Sequence, residues 1–281
     1  MGYDVGYDVG CDVGPALMDI PSVAIIIFLL AVLMTMTGRG GGNFYVLVLV
    51  IAGIPMHSAA MTGQFILFCT AFASIFIFQK NRTVLWPVAI LLGGITAIMA
   101  FIGGYSAHEF GGMTLKFVFS GLLVVAGLLM LFPLSDAPKS RPERTGYYRL
   151  KTATGEYFIN LWLVVPVAMC TGFGAGMVGV SGGSFLVPLM VLACRLPMKM
   201  AVGTASTMVA ATALLGFLGH AVRDEFEFTW ALVLAVAAIA GGLIGGSITI
   251  KTRPGILKML FAITTLAAAV FMAANAIMSK E

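Results

Sequence analysis

Apolar runs separated by short polar breaks fill the chain from residue 21 to residue 278, at 21–37, 43–54, 56–79, 83–106, 112–134, 157–180, 184–194, 198–221, 228–250 and 254–278. A helix needs about 20 apolar residues to cross about 30 Å of hydrocarbon, and most of these runs reach or approach that length. The runs 43–54 and 184–194 do not. At about 1.5 Å per residue each reaches only about 16–18 Å, roughly half a bilayer. Each begins directly after a glycine-rich interruption, so both read as returning arms of hairpins that turn at depth. The pattern predicts an all-α polytopic membrane protein with about eight long helices and two short arms.

The arms belong to a duplication. Gly38 to Phe44 reads GRGGGNF and Gly179 to Phe185 reads GVSGGSF, at an offset of 141 residues. One inserted residue raises the offset to 142, which then pairs Pro55-Met56 with Pro197-Met198, Thr62 with Thr204, Ile102-Gly103-Gly104 with Ile244-Gly245-Gly246, and Lys116 with Lys258. A duplicated hydrophobic unit with a glycine break in each copy is a mark of secondary transporters. The expected organisation is a tail (1–20), a first membrane repeat (21–134), a basic linker (135–156) and a second membrane repeat (157–281).

Composition removes the soluble alternatives. Of 281 residues, 60% are hydrophobic and 10% charged, too much apolar surface for a water-soluble domain of this length. Residues 2–14 form a short acidic repeat, GYDVGYDVGCDVG, with no capacity to build a core. Cys11, Cys69, Cys170 and Cys194 form no CxxC pair, and the eighteen methionines are scattered. Packing is the expectation for both residue types, and no metal, cofactor, nucleic-acid partner or enzymatic chemistry is called for.

Lys and Arg set the sidedness. The linker carries Lys139, Arg141, Arg144, Arg149 and Lys151, which places it in the cytoplasm. Counting outward with five segments per repeat puts Lys80, Arg82, Arg195, Lys199, Lys251 and Arg253 inside. The same count puts His108, Glu109, Arg223, Asp224, Glu225 and Glu227 outside. It requires the two repeats to have opposite orientations. A count in which each short arm reverses nothing gives parallel repeats and scatters the basic clusters.

Irregular backbone inside a bilayer survives only where protein or a water-filled cavity satisfies it. Two breaks coming from opposite faces should therefore meet, each followed by a helix start whose free N–H groups favour an anion. The candidate shell is Arg39, Gly40, Gly41, Gly42 and Asn43 in the first break, and Ser181, Gly182, Gly183 and Ser184 in the second. Thr62 and Gln64, with Thr204 and Ser206 at the matching depth, are candidates to complete it. Arg39 either meets the anion or snorkels to the interface. Gly103-Gly104, Gly241-Gly242 and Gly245-Gly246 read as helix-packing glycines. His57 and His220 fall at outer segment ends, where solvation is expected, and no carboxylate lies inside a span, which argues against a cation pump.

The run GVSGGSFLVPLMVLACRLPMKMAVGTAS, residues 179–206, resembles the signature of the TauE/SafE sulfite exporter family, within the toluene sulfonate uptake permease superfamily. Ser181, Gly182, Gly183, Pro188, Pro197, Ala201, Val202 and Thr204 occupy the matching places, and Gly40, Gly41, Gly42, Pro55 and Ala59 echo them in the first repeat. Three positions depart from it: Ser181 stands for a glycine, Ala205 for a serine, and Leu47 for the proline found at Pro188. The resemblance covers about residues 20–278. It implies carriage of sulfur-containing anions such as sulfite, sulfoacetate or another organosulfonate, and an inner-membrane location in a prokaryote. The residues alone stop at a small anion, carried by alternating access with a proton or sodium ion as a possible partner. An anion channel and a thiol-dependent sulfur-compound transporter stay open beside that reading, as do direction and oligomeric state.

Overall fold

The computed structural model describes residues 19–106, 124, 127–128, 147–152, 155–178, 182–194, 196–222 and 228–278. The first apolar runs become α1 (Ile20–Met36), α2 (Gly42–Ile51), α3 (Met56–Lys80) and α4 (Trp86–Ser106). After the linker come α5 (Leu161–Val178), α6 (Gly183–Pro188), α7 (Met198–Ala221), α8 (Phe228–Lys251) and α9 (Pro254–Met278). Helix α6 runs on without interruption into a π-turn at Leu189–Ala193, directly after Pro188, which cannot donate to the regular i→i−4 ladder. The second arm thus spans Gly183–Ala193, close to the 184–194 expected, and α2 matches the first. Tail residues 1–18, the run 112–134 apart from residues 124, 127 and 128, and linker residues 135–146 lie outside the described residues.

Among the described residues, four helices are long and apolar enough to cross a membrane: Ser58–Lys80, Trp86–Ser106, Met198–Ala221 and Trp230–Lys251. Ile25, Phe76, Ile90, Val236 and Val270 are exposed around the outside, as a lipid-facing surface requires. The chain is a multi-pass, helical membrane protein. One element departs from an all-helical chain. Tyr147–Thr152 and Gly155–Asn160 form an antiparallel hairpin, β1 and β2, with Tyr147 paired to Asn160 and Thr152 to Gly155. Aromatic and β-branched residues there favour strands over the irregular linker expected, and the hairpin leads straight into α5.

The helices assort into two bundles. In one, α1, α2 and α3 pack together with α8; in the other, α5, α6 and α7 pack together with α4. Exchanging each element for its repeat equivalent (α1 with α5, α2 with α6, α3 with α7, α4 with α8) turns one bundle into the other. Each bundle therefore holds three elements of one repeat and the fourth element of the other. Helices α3 and α7 form the main seam between them, with α9 against α7.

Close glycine contacts give the directions. Gly241 meets Phe28 and Ala31 while Gly245 meets Val32 and Thr35, so α1 and α8 run the same way. Gly242 on Thr70 and Gly246 on Ile77 align α3 with α8. Gly172 on Thr96 and Gly176 on Ala100 align α5 with α4, and Gly93 on Met208 with Gly104 on Gly216 aligns α7 with α4. Helices α3 and α7 oppose one another, because Gly203 near the start of α7 abuts Thr83 beyond the end of α3, and Gly216 near its end abuts Gln64. So α1, α3 and α8 point one way and α4, α5 and α7 the other. At Gly103, Gly172, Gly176, Gly241 and Gly245 a methyl group would collide with backbone of the neighbouring helix, which is the packing role expected of small residues in membranes. Lys80 and Arg82 at the end of α3, Lys199 at the start of α7, and Lys251 and Arg253 at the end of α8 gather at one end. Lys199 Nζ donates to the Ile250 carbonyl there at 2.6 Å.

Candidate functional site

The first break turns the chain sharply after α1. Thr37 and Arg39 N–H both donate to the Met34 carbonyl and Gly38 N–H to that of Thr35. Gly38, Gly40 and Gly41 take φ of +73°, +69° and +91°, a left-handed conformation that side chains resist. Gly41 then caps α2. The second break ends at Gly182, which caps α6 with an ordinary φ of −63°.

The two breaks touch. A Cβ on Gly183 would lie 2.7 Å from the Gly38 carbonyl oxygen, 3.0 Å from Arg39 Cα and 2.9 Å from Val209 Cγ2. Gly40 sits against both Leu67 and Val209, residues that are repeat equivalents and lie near the middle of α3 and α7. The meeting point is therefore halfway along the seam between the bundles. There the first turns of α2 and α6 leave the N–H groups of Gly42, Asn43, Gly183 and Ser184 without intrahelical acceptors.

Arg39 is buried at this point, with 2% of its surface exposed. Its Nε donates to Ser184 Oγ at 2.9 Å and its Nη1 to Thr265 Oγ1 at 3.0 Å and Thr264 Oγ1 at 3.5 Å. The guanidinium carbon lies 5.5 Å from the centre of the Phe261 ring, within cation–π range. Thr264 and Thr265 also donate to carbonyls of their own helix, at Leu260 and Phe261, so their oxygens are free to accept from Arg39. No carboxylate pairs with Arg39 among the described residues. The snorkelling alternative for Arg39 does not hold.

The remaining candidates divide. Gly40, Gly41, Gly42, Gly182, Gly183 and Ser184 lie buried around Arg39 or its two breaks. Asn43 is in the first turn of α2, with its side chain outside the described residues, and Ser181 lies outside them altogether. Thr62 is buried on α3. Thr204 is committed elsewhere: its hydroxyl accepts the Leu85 N–H at 3.0 Å, tying α7 to the start of α4. Gln64 donates from Nε2 to the Ala175 carbonyl at 3.4 Å, and its Oε1 is buried without a partner. Ser206 Oγ is likewise buried and unpartnered. Gln64 and Ser206 are repeat equivalents, and each stands one turn before the residue (Leu67 or Val209) that touches Gly40. Unsatisfied buried oxygens are unusual enough to need an occupant or a moving partner.

Two expectations change. His220, placed at a solvated segment end, is only 4% exposed, and its Nε2 lies 3.1 Å from the Gly176 carbonyl. Thr264, Thr265 and Phe261 of α9 were not among the candidates. Repeat comparison could not find them, since a 142-residue offset pairs the threonines with Leu122 and Leu123; the available signal was a Thr-Thr pair in mid-run. Cys69 is half-buried, Cys170 faces outward and Cys194 is buried in an apolar cluster.

A helical membrane protein with two intramembrane breaks meeting at a buried cation has the architecture of a transporter. Residues 23–272 match the model of the family described as "Sulfite exporter TauE/SafE", and the chain belongs to that family, a family of membrane transporters rather than enzymes. It is similar to a "Probable membrane transporter protein" of Xylella fastidiosa, with 26% identity over 237 residues covering 83% of this chain and 87% of that one. It is also similar to "Probable membrane transporter protein YunE" of Bacillus subtilis, with 22% identity over 205 residues covering 72% and 75% of the two chains. "Probable membrane transporter protein MJ0441" of Methanocaldococcus jannaschii is 21% identical over 259 residues, covering 87% and 91%. No solved structure matches the chain.

Proposed function

We propose that the protein carries a small sulfur-containing anion, such as sulfite, sulfoacetate or a related sulfonate, by alternating access, and that the anion binds Arg39 between the two breaks. The buried Arg39 guanidinium carries this reading. A cation at membrane depth costs about 2.5–3.5 kcal/mol on insertion scales, and among the described residues only hydroxyl groups and a ring offset it. An oxyanion would accept from the guanidinium, from the Ser184 hydroxyl and from the amides that open α2 and α6. Its small size suits glycines that let backbone close around it.

The carrier mechanism draws support from the bundles. Repeat-equivalent helices run in opposite directions, as inverted repeats require, and the candidate site lies on the seam between two bundles related by the repeat. Because α4 and α8 are exchanged between repeats, the moving bodies are the two mixed bundles rather than residues 21–134 against 157–281. The basic end formed by Lys80, Arg82, Lys199, Lys251 and Arg253 supports a cytoplasmic placement for that end. The sulfur chemistry rests on the family, and relatives in two bacteria and an archaeon support a prokaryotic inner membrane.

Countertransport in proteoliposomes tests the reading. Unlabelled sulfite or sulfoacetate inside should accelerate uptake of the labelled anion, and Arg39→Gln should abolish that exchange in folded protein. Uptake indifferent to internal anion would make the protein a channel. Exchange that survives Arg39→Gln would move the site.

A further inference from the structure

Ser206 Oγ and Gln64 Oε1 lie at the seam between the bundles, buried and without a hydrogen-bond partner. Buried hydroxyls on membrane helices ordinarily donate to a carbonyl one turn earlier in their own helix. Thr70, Thr96, Thr207 and Thr212 all do so. Ser206 does not, although Thr207 beside it does. The neighbours of Ser206 show where it faces. Val202, Ser206 and Val209 stand at i, i+4 and i+7, on one face of α7. Val202 meets Gly38, and Val209 meets Gly40 and Gly183. The face that carries the Ser206 hydroxyl is therefore turned to the first break, next to the candidate anion site.

Gln64 holds the equivalent place in the first repeat. Leu67 and Val209 both touch Gly40 and mark the level of the site on α3 and α7. Gln64 precedes Leu67, and Ser206 precedes Val209, by three residues. Because α3 and α7 oppose one another, each polar residue lies about 4.5 Å from that level along its helix, on opposite sides of it. Ser206 is on the side of the basic end and Gln64 on the other. Gln64 Nε2 donates to the Ala175 carbonyl at 3.4 Å, and its amide lies against Gly216 of α7. That bond joins α3 of one bundle to α5 of the other, so it ties the seam on its side. Ser206, in this structure, ties nothing.

We propose that Ser206 and Gln64 are two further ligands of the anion, one on each side of Arg39. Ser206 receives it on the way to the cytoplasmic face and Gln64 on the way to the outer face; this rests on the anion site and the sidedness read above. A hydroxyl and a primary amide both donate to an oxyanion and both are neutral. Each can therefore hold the anion more weakly than the guanidinium does, as a passing station must. Ser206 Oγ is ready to donate. Gln64 Nε2 is engaged on the Ala175 carbonyl, so the structure is the state closed toward the outer face. Release of that bond frees the amide for the anion and unties the outer half of the seam.

Full-length protein and sulfoacetate test this in two ways. Ser206→Ala removes a hydroxyl that has no partner, so it should melt no lower than wild type. It should nevertheless bind sulfoacetate about tenfold more weakly by titration calorimetry, the loss expected for one hydrogen bond to a charged group. Unchanged affinity would overturn the proposal, whatever the melting temperature. For the two paths, Ser206→Cys and Gln64→Cys are made with Cys11, Cys69, Cys170 and Cys194 replaced by Ala. Each is treated with a membrane-impermeant anionic methanethiosulfonate in inside-out and in right-side-out vesicles. Ser206→Cys should react from the cytoplasmic face and Gln64→Cys from the outer face. Sulfoacetate at about ten times its Kd should slow each reaction about tenfold. Reaction of neither in variants that still exchange sulfoacetate, or of both from one face, would overturn the proposal. Wild type that binds neither sulfoacetate nor sulfite, or binding that survives Arg39→Gln, would instead remove the site at Arg39 and this inference with it.

Discussion

Gly182 and Gly183 are neighbours with opposite expected responses to one methyl group. At Gly182 the nearest atoms to an added Cβ are 3.8–4.0 Å away and φ is ordinary, so Gly182→Ala should fold and bind normally. At Gly183 the same methyl would sit 2.7 Å from the Gly38 carbonyl oxygen and 3.0 Å from Arg39 Cα, with Val209 at 2.9 Å behind it. Restoring an ordinary contact of about 3.4 Å needs a separation of the breaks by about 0.7 Å. Ser184 follows immediately, and its 2.9 Å bond to Arg39 Nε would stretch past the usual limit of about 3.2 Å. A hydrogen bond to a charged group contributes about 1.5–3 kcal/mol. At about 1.4 kcal/mol per decade, Gly183→Ala should therefore weaken anion binding roughly tenfold to a hundredfold. Isothermal titration of sulfite and sulfoacetate into purified variants measures this, with thermal unfolding as the folding control. Equal affinity in the two alanine variants would refute the claim that the breaks form one binding surface.

Arg39→Lys keeps the charge but loses the fork that reaches Ser184 and Thr265 together, so it should retain weak exchange where Arg39→Gln has none; equal activity of lysine and wild type would reduce Arg39 to a point charge. Thr265→Val removes an acceptor from Nη1 and should weaken binding by about 1 kcal/mol, read by the same titration, whereas Thr204→Val should instead lower the unfolding temperature because Leu85 loses its acceptor. Replacing Cys69, Cys170 and Cys194 by Ala together should leave exchange intact; loss of exchange in folded protein would favour the thiol-dependent class. Cysteines placed at residues 144 and 225 should be labelled from opposite faces by an impermeant maleimide, and labelling of both from one face would contradict the assigned sidedness.

Much of the fold was legible because membrane helices follow a coarse rule of length and hydropathy. The two arms stood out as runs too short to span, and the repeat offset paired Leu67 with Val209, which converge on Gly40. What the sequence concealed depends on contacts between distant segments. The exchange of α4 and α8 between bundles leaves no trace in composition, since a helix apolar on all sides does not declare its neighbours. The hairpin at 147–160 hid in a linker read by its charge rather than its alternation. At the site, Arg39 and Ser184 could be nominated because each lies in a break. Thr264 and Thr265 could not, having no repeat counterpart, and Thr204 was nominated by symmetry although its hydroxyl holds α4. His220 was misread from its position near the end of a run, because burial at a helix end depends on what packs there.

The central claim is that one anion sits on Arg39 where the two breaks meet. Selenite, an analogue of sulfite with a strong anomalous signal, tests it directly in crystals of the natural-methionine protein. The account predicts a selenium peak within hydrogen-bonding reach of Arg39, Ser184 and Thr265, absent in Arg39→Gln. A peak elsewhere in the helices, with that pocket left without selenium, would contradict it.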